Sequence, residues 1–376
     1  MTDVVEQREE KRVSWAELFV DLVFVFAVTE VSTLLRHDHG WAGVGRAAVV
    51  FVPLYWVWVG LSIHANTHDV ENPLDRIGMF AAALCSLFMA LAVPGTYDGH
   101  RYGDRGLLYA VSYLAARVIL VGLVLRGQQM EPRAFMITAF LTGPLLVVGG
   151  FLHGTARELV WAAGALIALA TPKLARQRMF RVRFDPAHLP ERFGLLLIIA
   201  LGESIVATGA TAVGATRLTA GGVAAVAAAF TLACGLWWVY FVYAASAVRH
   251  AMGFEDVRID LVRQVLSYAH LVFISGIIAV AAALGEVVAH PDRRLGGGEA
   301  GLLFGGCALY LATFGYTRWR MFGVVATTRL GAAAVVLVLL PVAGRGSGLA
   351  ALWLLTAVLI ALNAVEYALV AWRQRI

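Results

Sequence analysis

From Ser14 onward the chain alternates apolar blocks with short polar turns. The blocks fall at roughly 14–35, 43–64, 75–94, 106–126, 133–153 and 156–173, then at 191–213, 220–246, 262–288, 299–317, 322–344 and 348–372. Most approach the ~20 residues that a helix needs to cross a bilayer. The pattern predicts an all-α fold, a polytopic integral membrane helical bundle of about twelve transmembrane helices. Only one long polar stretch lies between blocks. It divides the chain into an N-terminal segment 1–13, a first six-helix half 14–173, a basic connector 174–190 and a second six-helix half 191–376.

The halves follow one plan. Setting Phe19 on Phe193 aligns Glu17 with Glu191 and Thr29 with Glu203, and leaves Glu30 opposite Ser204. The second helix of each half carries an aromatic cluster, Tyr55, Trp56 and Trp58 in one and Trp237, Trp238, Tyr240 and Phe241 in the other. Before the third helix stand Asp75 and Arg76, or Asp260 and Arg263. Three correspondences in order predict an internal duplication. An even number of spans per half makes it a parallel repeat.

Composition removes the soluble classes. Hydrophobic residues make up 60% and charged residues 15%, against roughly 25% charged in soluble domains, and mean hydropathy is +0.75. The net charge of +5 is carried by arginine, since Lys11 and Lys173 are the only lysines. Roughly two-thirds of the Lys and Arg fall in segments on the N-terminal side, which places both termini in the cytoplasm and the protein in the cytoplasmic membrane. Such loop arginines orient helices and are not a nucleic-acid footprint. Cys85, Cys234 and Cys307 lie in apolar runs without CxxC spacing, and read as small packing residues. No Walker A loop, GxSxG elbow or HExxH motif is present, and no cofactor is expected.

Chemistry is expected where polar residues sit at depth. A carboxylate at the bilayer centre costs at least ~2.5–3.5 kcal/mol, so intramembrane acids face protein or water. Glu17, Asp21, Thr29 and Glu30 share the first helix, and Glu203 and Ser204 lie in the seventh. Glu17, near the helix start, can reach the headgroup region, whereas Asp21 lies ~10 Å in and Thr29 and Glu203 lie near the midplane, at ~1.5 Å per residue. Arg117 and Arg329 are expected to pair with Asp21, Glu30 or Glu203. His270 is an even choice between proton handling and a structural hydrogen bond. Trp237 and Trp238 lie deep enough to line a pocket for an apolar or cationic ligand, with plain packing the favoured reading. His64 and His68 are four apart, but the central Glu of a zincin helix is missing and Asn72-Pro73 interrupts. That stretch reads as a solvated loop capping the next helix, and no metal site is expected.

ELFVDLVFVFAVTEVS in the first helix and ERFGLLLIIALGESIV in the seventh resemble the two hallmark helices of the bacterial low temperature requirement protein A (LtrA) family. The resemblance covers nearly the whole chain and implies a polytopic membrane protein with a link to growth in the cold. The preferred reading is a secondary transporter or permeation protein. Asp21 and Glu203 bind a coupling ion or cationic substrate, and Arg117 and His270 tune them. The alternative is a membrane-embedded enzyme on a lipid or isoprenoid-like substrate, with Asp21, Glu203 or His270 as general acid or base. Phe19-x-Asp21 resembles, over two positions, the FSD motif of a potassium-channel family, which makes an ion channel the third reading. Expected partners are membrane lipid and a small solute, ion or lipid-like substrate, and self-association stays open.

Overall fold

The computed structural model describes residues 11–127, 132–174, 184–253 and 258–373. Most of the N-terminal segment 1–13 and of the connector 174–190 lies outside the described residues. The described chain is a helical bundle without a strand, apart from an isolated bridge between Arg294 and Ser347.

We number the long helices α1 (Trp15–His37), α2 (Trp41–Thr67), α3 (Pro73–Ala92), α4 (Gly106–Gly127), α5 (Arg133–Phe151) and α6 (Gly154–Leu174) in the first half. The second half holds α7 (His188–Gly214), α8 (Ala220–Met252), α9 (Val262–Ala289), α10 (Gly297–Phe322), α11 (Thr327–Ala343) and α12 (Gly348–Arg373). Among the described residues 10 helices are long and apolar enough to cross a membrane. The other two are α6, which opens on Arg157 and Glu158, and α11, of 17 residues. Large apolar side chains such as Phe140, Leu166, Val338 and Ile360 are exposed around the girdle, where a bilayer would cover them.

The ends of the helices follow from local chemistry. Ser14 caps α1 through a reciprocal box: its hydroxyl accepts from the Glu17 amide at 3.3 Å, and Glu17 Oε2 accepts from the Ser14 amide at 2.9 Å. Asn72 caps α3, accepting from the Leu74 amide at 3.0 Å, with Pro73 at the first helical position. The Lys11 ammonium covers the last carbonyls of α2, those of Ala65 and His68, where the helix dipole favours a cation. Its burial there pushes the Lys11 pKa down, against the attraction of Glu17, Asp69 and Asp185.

Packing is strongest at the centre. α2 is buried over 89% of its most apolar window, and α9 and α10 over 72%. In the first half α1 packs on α2 and α3, α3 on α4, α4 on α5, α5 on α6, and α6 back on α2. In the second half α7 packs on α8 and α9, α9 on α10, α10 on α11, α11 on α12, and α12 back on α8. α1 joins the halves through α7 and α9, and α2 meets the same two helices. Among the described residues four helices contain a turn of π-helix, at Thr138–Thr142, Val239–Ala244, Val262–Ala269 and Gly301–Gly305. The last turn lets α10 approach α9 through glycine.

A Cβ on Gly276 would lie 2.7 Å from the Gly306 carbonyl oxygen, and one on Gly306 would lie 2.6 Å from that of Gly276. Both obstacles are backbone, so the helices themselves must separate. Gly276→Ala and Gly306→Ala should each cost about 1–3 kcal/mol, read as a lower melting temperature of the purified protein. The double variant should cost less than the sum, because the two share one contact.

Candidate functional site

The first turns of α1 and α7 meet in a buried charge cluster. Glu17 and Asp21 are four residues apart on one face of α1, and His188 and Arg192 are four apart on the facing side of α7. Arg192 Nη1 donates to Asp21 Oδ2 at 2.6 Å and Nη2 donates to Oδ1 at 2.8 Å, a bidentate pair. Arg192 Nε lies 3.3 Å from Glu17 Oε1, close enough for the charges to attract but without hydrogen-bond geometry. α2 completes the cluster: Trp58 Nε1 donates to Asp21 Oδ1 at 2.9 Å, and the guanidinium lies 5.5 Å from the Trp58 ring centroid. Glu17, His188 and Arg192 are 0% exposed and Asp21 is 3%.

The protonation of His188 follows from its neighbours. Asn66 Oδ1 accepts from the Asp185 amide at 3.0 Å, which orients the side chain so that Asn66 Nδ2 faces His188 Nδ1 at 3.2 Å. Nδ1 is therefore an acceptor, and the ring proton sits on Nε2, which donates to Glu17 Oε2 at 3.3 Å. With His188 neutral, two carboxylates face one guanidinium. Lys11, within electrostatic reach of Glu17, offsets the remaining charge. A polar recess bordered by Lys11, Ser14, Asp69, Glu191 and Arg249 opens above the cluster at the N-terminal face.

A second polar centre lies deeper. Glu203 is 11 residues beyond Arg192 on α7, or ~16 Å along the axis, and is 2% exposed. Its Oε2 is 2.5 Å from Thr29 Oγ1 of α1, and that same hydroxyl is 3.1 Å from the Val25 carbonyl. One hydroxyl carries one proton. Either Thr29 donates to an ionised Glu203, or Thr29 donates to Val25 and accepts from a protonated Glu203. The Ser32 hydroxyl also lies within reach of the Glu203 carboxylate, and the Ser204 hydroxyl is buried without a partner. Among the described residues no cation lies within ion-pair distance of Glu203.

These placements revise several sequence expectations. Arg117 and Arg329 do not pair with Asp21, Glu30 or Glu203. Arg329 Nε and Nη2 donate to Glu366 at 2.8 and 2.9 Å, and Arg117 Nε donates to the Tyr113 hydroxyl at 3.2 Å. Glu17 does not reach the headgroup region, because Ser14, His188 and Arg192 enclose it. Trp237 and Trp238 line no pocket with the acids; both are over 40% exposed on the outer surface of α8. Asp21 and Glu203 occupy the same pair of helices at different depths, so one cavity does not hold both. Glu30 is half-buried within electrostatic reach of Glu203. His270 tunes neither acid directly. Its Nδ1–H donates to the Val265 carbonyl at 2.9 Å inside the π-turn, and its Nε2 accepts from the Tyr240 hydroxyl at 2.7 Å. The stretch at His64 and His68 is not a solvated loop. Both rings are buried and stacked at 4.4 Å, and His64 contacts Asp75 at 3.2 Å. Burial pushes the His68 pKa down.

Sequence reasoning missed His188, Arg192, Asn66, Glu366 and the Trp58 indole. The i,i+4 spacing of His188 and Arg192 ahead of an apolar run, matching that of Glu17 and Asp21, was the available signal. Among the described residues no group of three or more His, Cys, Asp or Glu side chains is arranged to hold a metal ion.

The family described as bacterial low temperature requirement A protein (LtrA) matches residues 12–364. An uncharacterized protein of Rhizobium meliloti (strain 1021) is 30% identical over 324 residues, covering 82% of this chain and 77% of that protein. No solved structure matches significantly.

Removing one member of the Asp21–Arg192 pair leaves the other charge buried and alone, at about 3–5 kcal/mol. Arg192→Met and Asp21→Asn should each lower the melting temperature sharply. The double variant, which removes both charges, should recover part of the loss. Additive losses would show that the two charges do not depend on each other.

Proposed function

The chain belongs to the bacterial low temperature requirement A family, and we propose that it is a secondary transporter or permeation protein of the cytoplasmic membrane. Glu203 takes up and releases the coupling proton or cation. The Glu17–Asp21–His188–Arg192 cluster holds α1 against α7. One observation carries this reading: among the described residues Glu203 is a deep carboxyl with no ion-pair partner, only the Arg36 cation within electrostatic reach, and it is contacted by a hydroxyl that fits both of its protonation states. A charge with a fixed partner, such as Asp21, gains nothing from a proton. A lone buried carboxyl must take a proton or a cation, or bear the ~2.5–3.5 kcal/mol of ionisation at depth.

The same reading takes the halves as a parallel repeat related by an axis along the membrane normal. Each neighbour relation described for α1–α6 recurs six helices later. Thr29 and Glu203, equivalent in the Phe19-on-Phe193 register, are hydrogen-bonded to each other. Equivalent positions touch only near the axis that relates two copies, so Glu203 would sit at the boundary on which halves rock. The arginine distribution gives cytoplasmic termini, and the polar recess at Ser14 then faces the cytoplasm. The low-temperature requirement in the family's description becomes a requirement for whatever solute crosses here. Catalysis is less well supported, because Asp21 is held by Arg192 and His270 lies between Tyr240 and the Val265 carbonyl, and neither faces an open chamber.

Infrared difference spectra between acid and alkaline pH test the assignment without a known substrate. The native protein should show a protonated-carboxyl band from a buried site, absent in Glu203→Gln and retained in Glu366→Gln. A band that survives in Glu203→Gln, with the protein melting normally, would refute the assignment of the coupling ion to Glu203.

A further inference from the structure

Among the described residues four arginines are buried: Arg117, Arg157, Arg192 and Arg329. Three have carboxylate partners, Arg157 in Asp104, Arg192 in Asp21 and Arg329 in Glu366. Arg117 is the exception. It is 2% exposed, midway along α4, and its only hydrogen-bond partner is the Tyr113 hydroxyl. Its Nη2 is buried and has none. A guanidinium without a counter-charge at this depth is as unfavourable as an acid without one.

The guanidinium lines a cavity of about 60 Å³ between α2, α4, α5, α6 and the start of α9. Trp56, Val59, Ile63, Phe135 and Val262 make its walls apolar, while Asp260 and Arg263 stand toward the N-terminal face. Arg263 Nη2 donates to Asp260 Oδ1 at 2.8 Å, so that pair is neutral, and Arg263 Nη1 is a second buried donor without a partner. The hydroxyls of Thr138 and Thr171 already donate to backbone carbonyls. Gly60 makes the room: a Cβ there would lie 3.1 Å from Arg117 Nη1 and 3.0 Å from a Leu120 methyl.

We propose that this cavity binds a small monocarboxylate with an apolar body, its carboxylate on Arg117 Nη2 and its hydrocarbon against Trp56 and Phe135. The charge balance sets the anion. One uncompensated guanidinium neutralises one negative charge, and two free donors suit a carboxylate better than a phosphate dianion. The walls set the body. A cavity of this size holds on the order of four to six waters, the bulk of a four- to five-carbon acid, it is open on one side so that the tail of a six-carbon acid can extend from it, and apolar walls favour hydrocarbon over water. The site is separate from Glu203. Arg117 is on α4 and Glu203 on α7, and this assignment stands or falls without the infrared band.

Calorimetric titration of hexanoate into the full chain, held in nanodiscs of zwitterionic lipid, tests it. One site per chain is expected, with affinity at least tenfold weaker in Arg117→Met and also weakened in Gly60→Val, which keeps the charge and fills the space beside it. Arg117→Met exchanges a buried charge for apolar bulk and should melt no lower than the native protein. Undiminished hexanoate binding by Arg117→Met would overturn the proposal. So would hexanol binding as tightly as hexanoate, which would show that the cavity does not recognise charge. Saturation by inorganic phosphate in preference to hexanoate would overturn the monocarboxylate.

Discussion

The structure depends on the cost of a charge removed from water, and the Asp21–Arg192 pair is where that cost is met most completely. The guanidinium spends its two terminal nitrogens on one carboxylate, points its Nε at a second, and lies over the Trp58 ring. Three helices are committed at once, α1 by the acids, α7 by the guanidinium and α2 by the indole. α1 and α7 belong to different halves, so the lock joins them at one end of the bundle and leaves their outer portions to other contacts. Near the midplane the polar contact between the same two helices is between hydroxyls of α1, chiefly that of Thr29, and Glu203. Rigidity at one end and a weak polar contact farther along suits a pair of helices that must hold register while one site changes its proton.

The helices were legible from the sequence because hydrocarbon leaves little choice. A block of about twenty apolar residues has to satisfy its own backbone, and a helix does so alone. The caps at Ser14 and Asn72 were equally local. What could not be read was which polar groups meet. Asp21 and Arg192 are 171 residues apart, and an arginine one turn inside an apolar block looks the same in sequence whether it faces headgroups or a carboxylate. Arg192 stands two residues past the basic connector, and a partner for Asp21 was sought instead among arginines deeper in the helices. α8 shows the complementary difficulty. Its residues are apolar all round, no stripe marks the buried side, and Trp237 and Trp238 turned out to face outward while Tyr240 faces the core. His64 and His68 were misread because a polar string suggested solvent, whereas Asp75, Arg126 and Lys11 form a buried network around it.

The π-turns explain why His270 sits where it does. A wide turn leaves a carbonyl without its usual amide, and the His270 ring fills that vacancy on Val265 while its other nitrogen takes the Tyr240 hydroxyl, itself in the π-turn of α8. Two irregular turns on neighbouring helices thus complete each other through one neutral ring. Edge contact with Phe193 passes that ring on to the residue beside Arg192. His270 therefore supports the α7 face that carries the lock, and a structural histidine here still lies one side chain from the charge cluster.

Among the described residues Glu203 and Arg117 are deep groups without an ion-pair partner, and they have opposite sign. Glu203 and Arg117 could have neutralised each other, as Arg329 and Glu366 do, and a bundle shaped only for stability would gain from that pairing. Instead the acid is on α7 beside α1, and the base is on α4 behind α2, the most enclosed helix of the bundle. Each also has what an incoming charge requires: a spare hydroxyl at Ser204 beside one, and a cavity with a glycine wall at the other. Keeping both groups apart costs the fold stability at two places. The separation is intelligible if each waits for a charge that comes and goes, a proton or cation at Glu203 and an organic anion at Arg117, since a permanent partner at either site would close it.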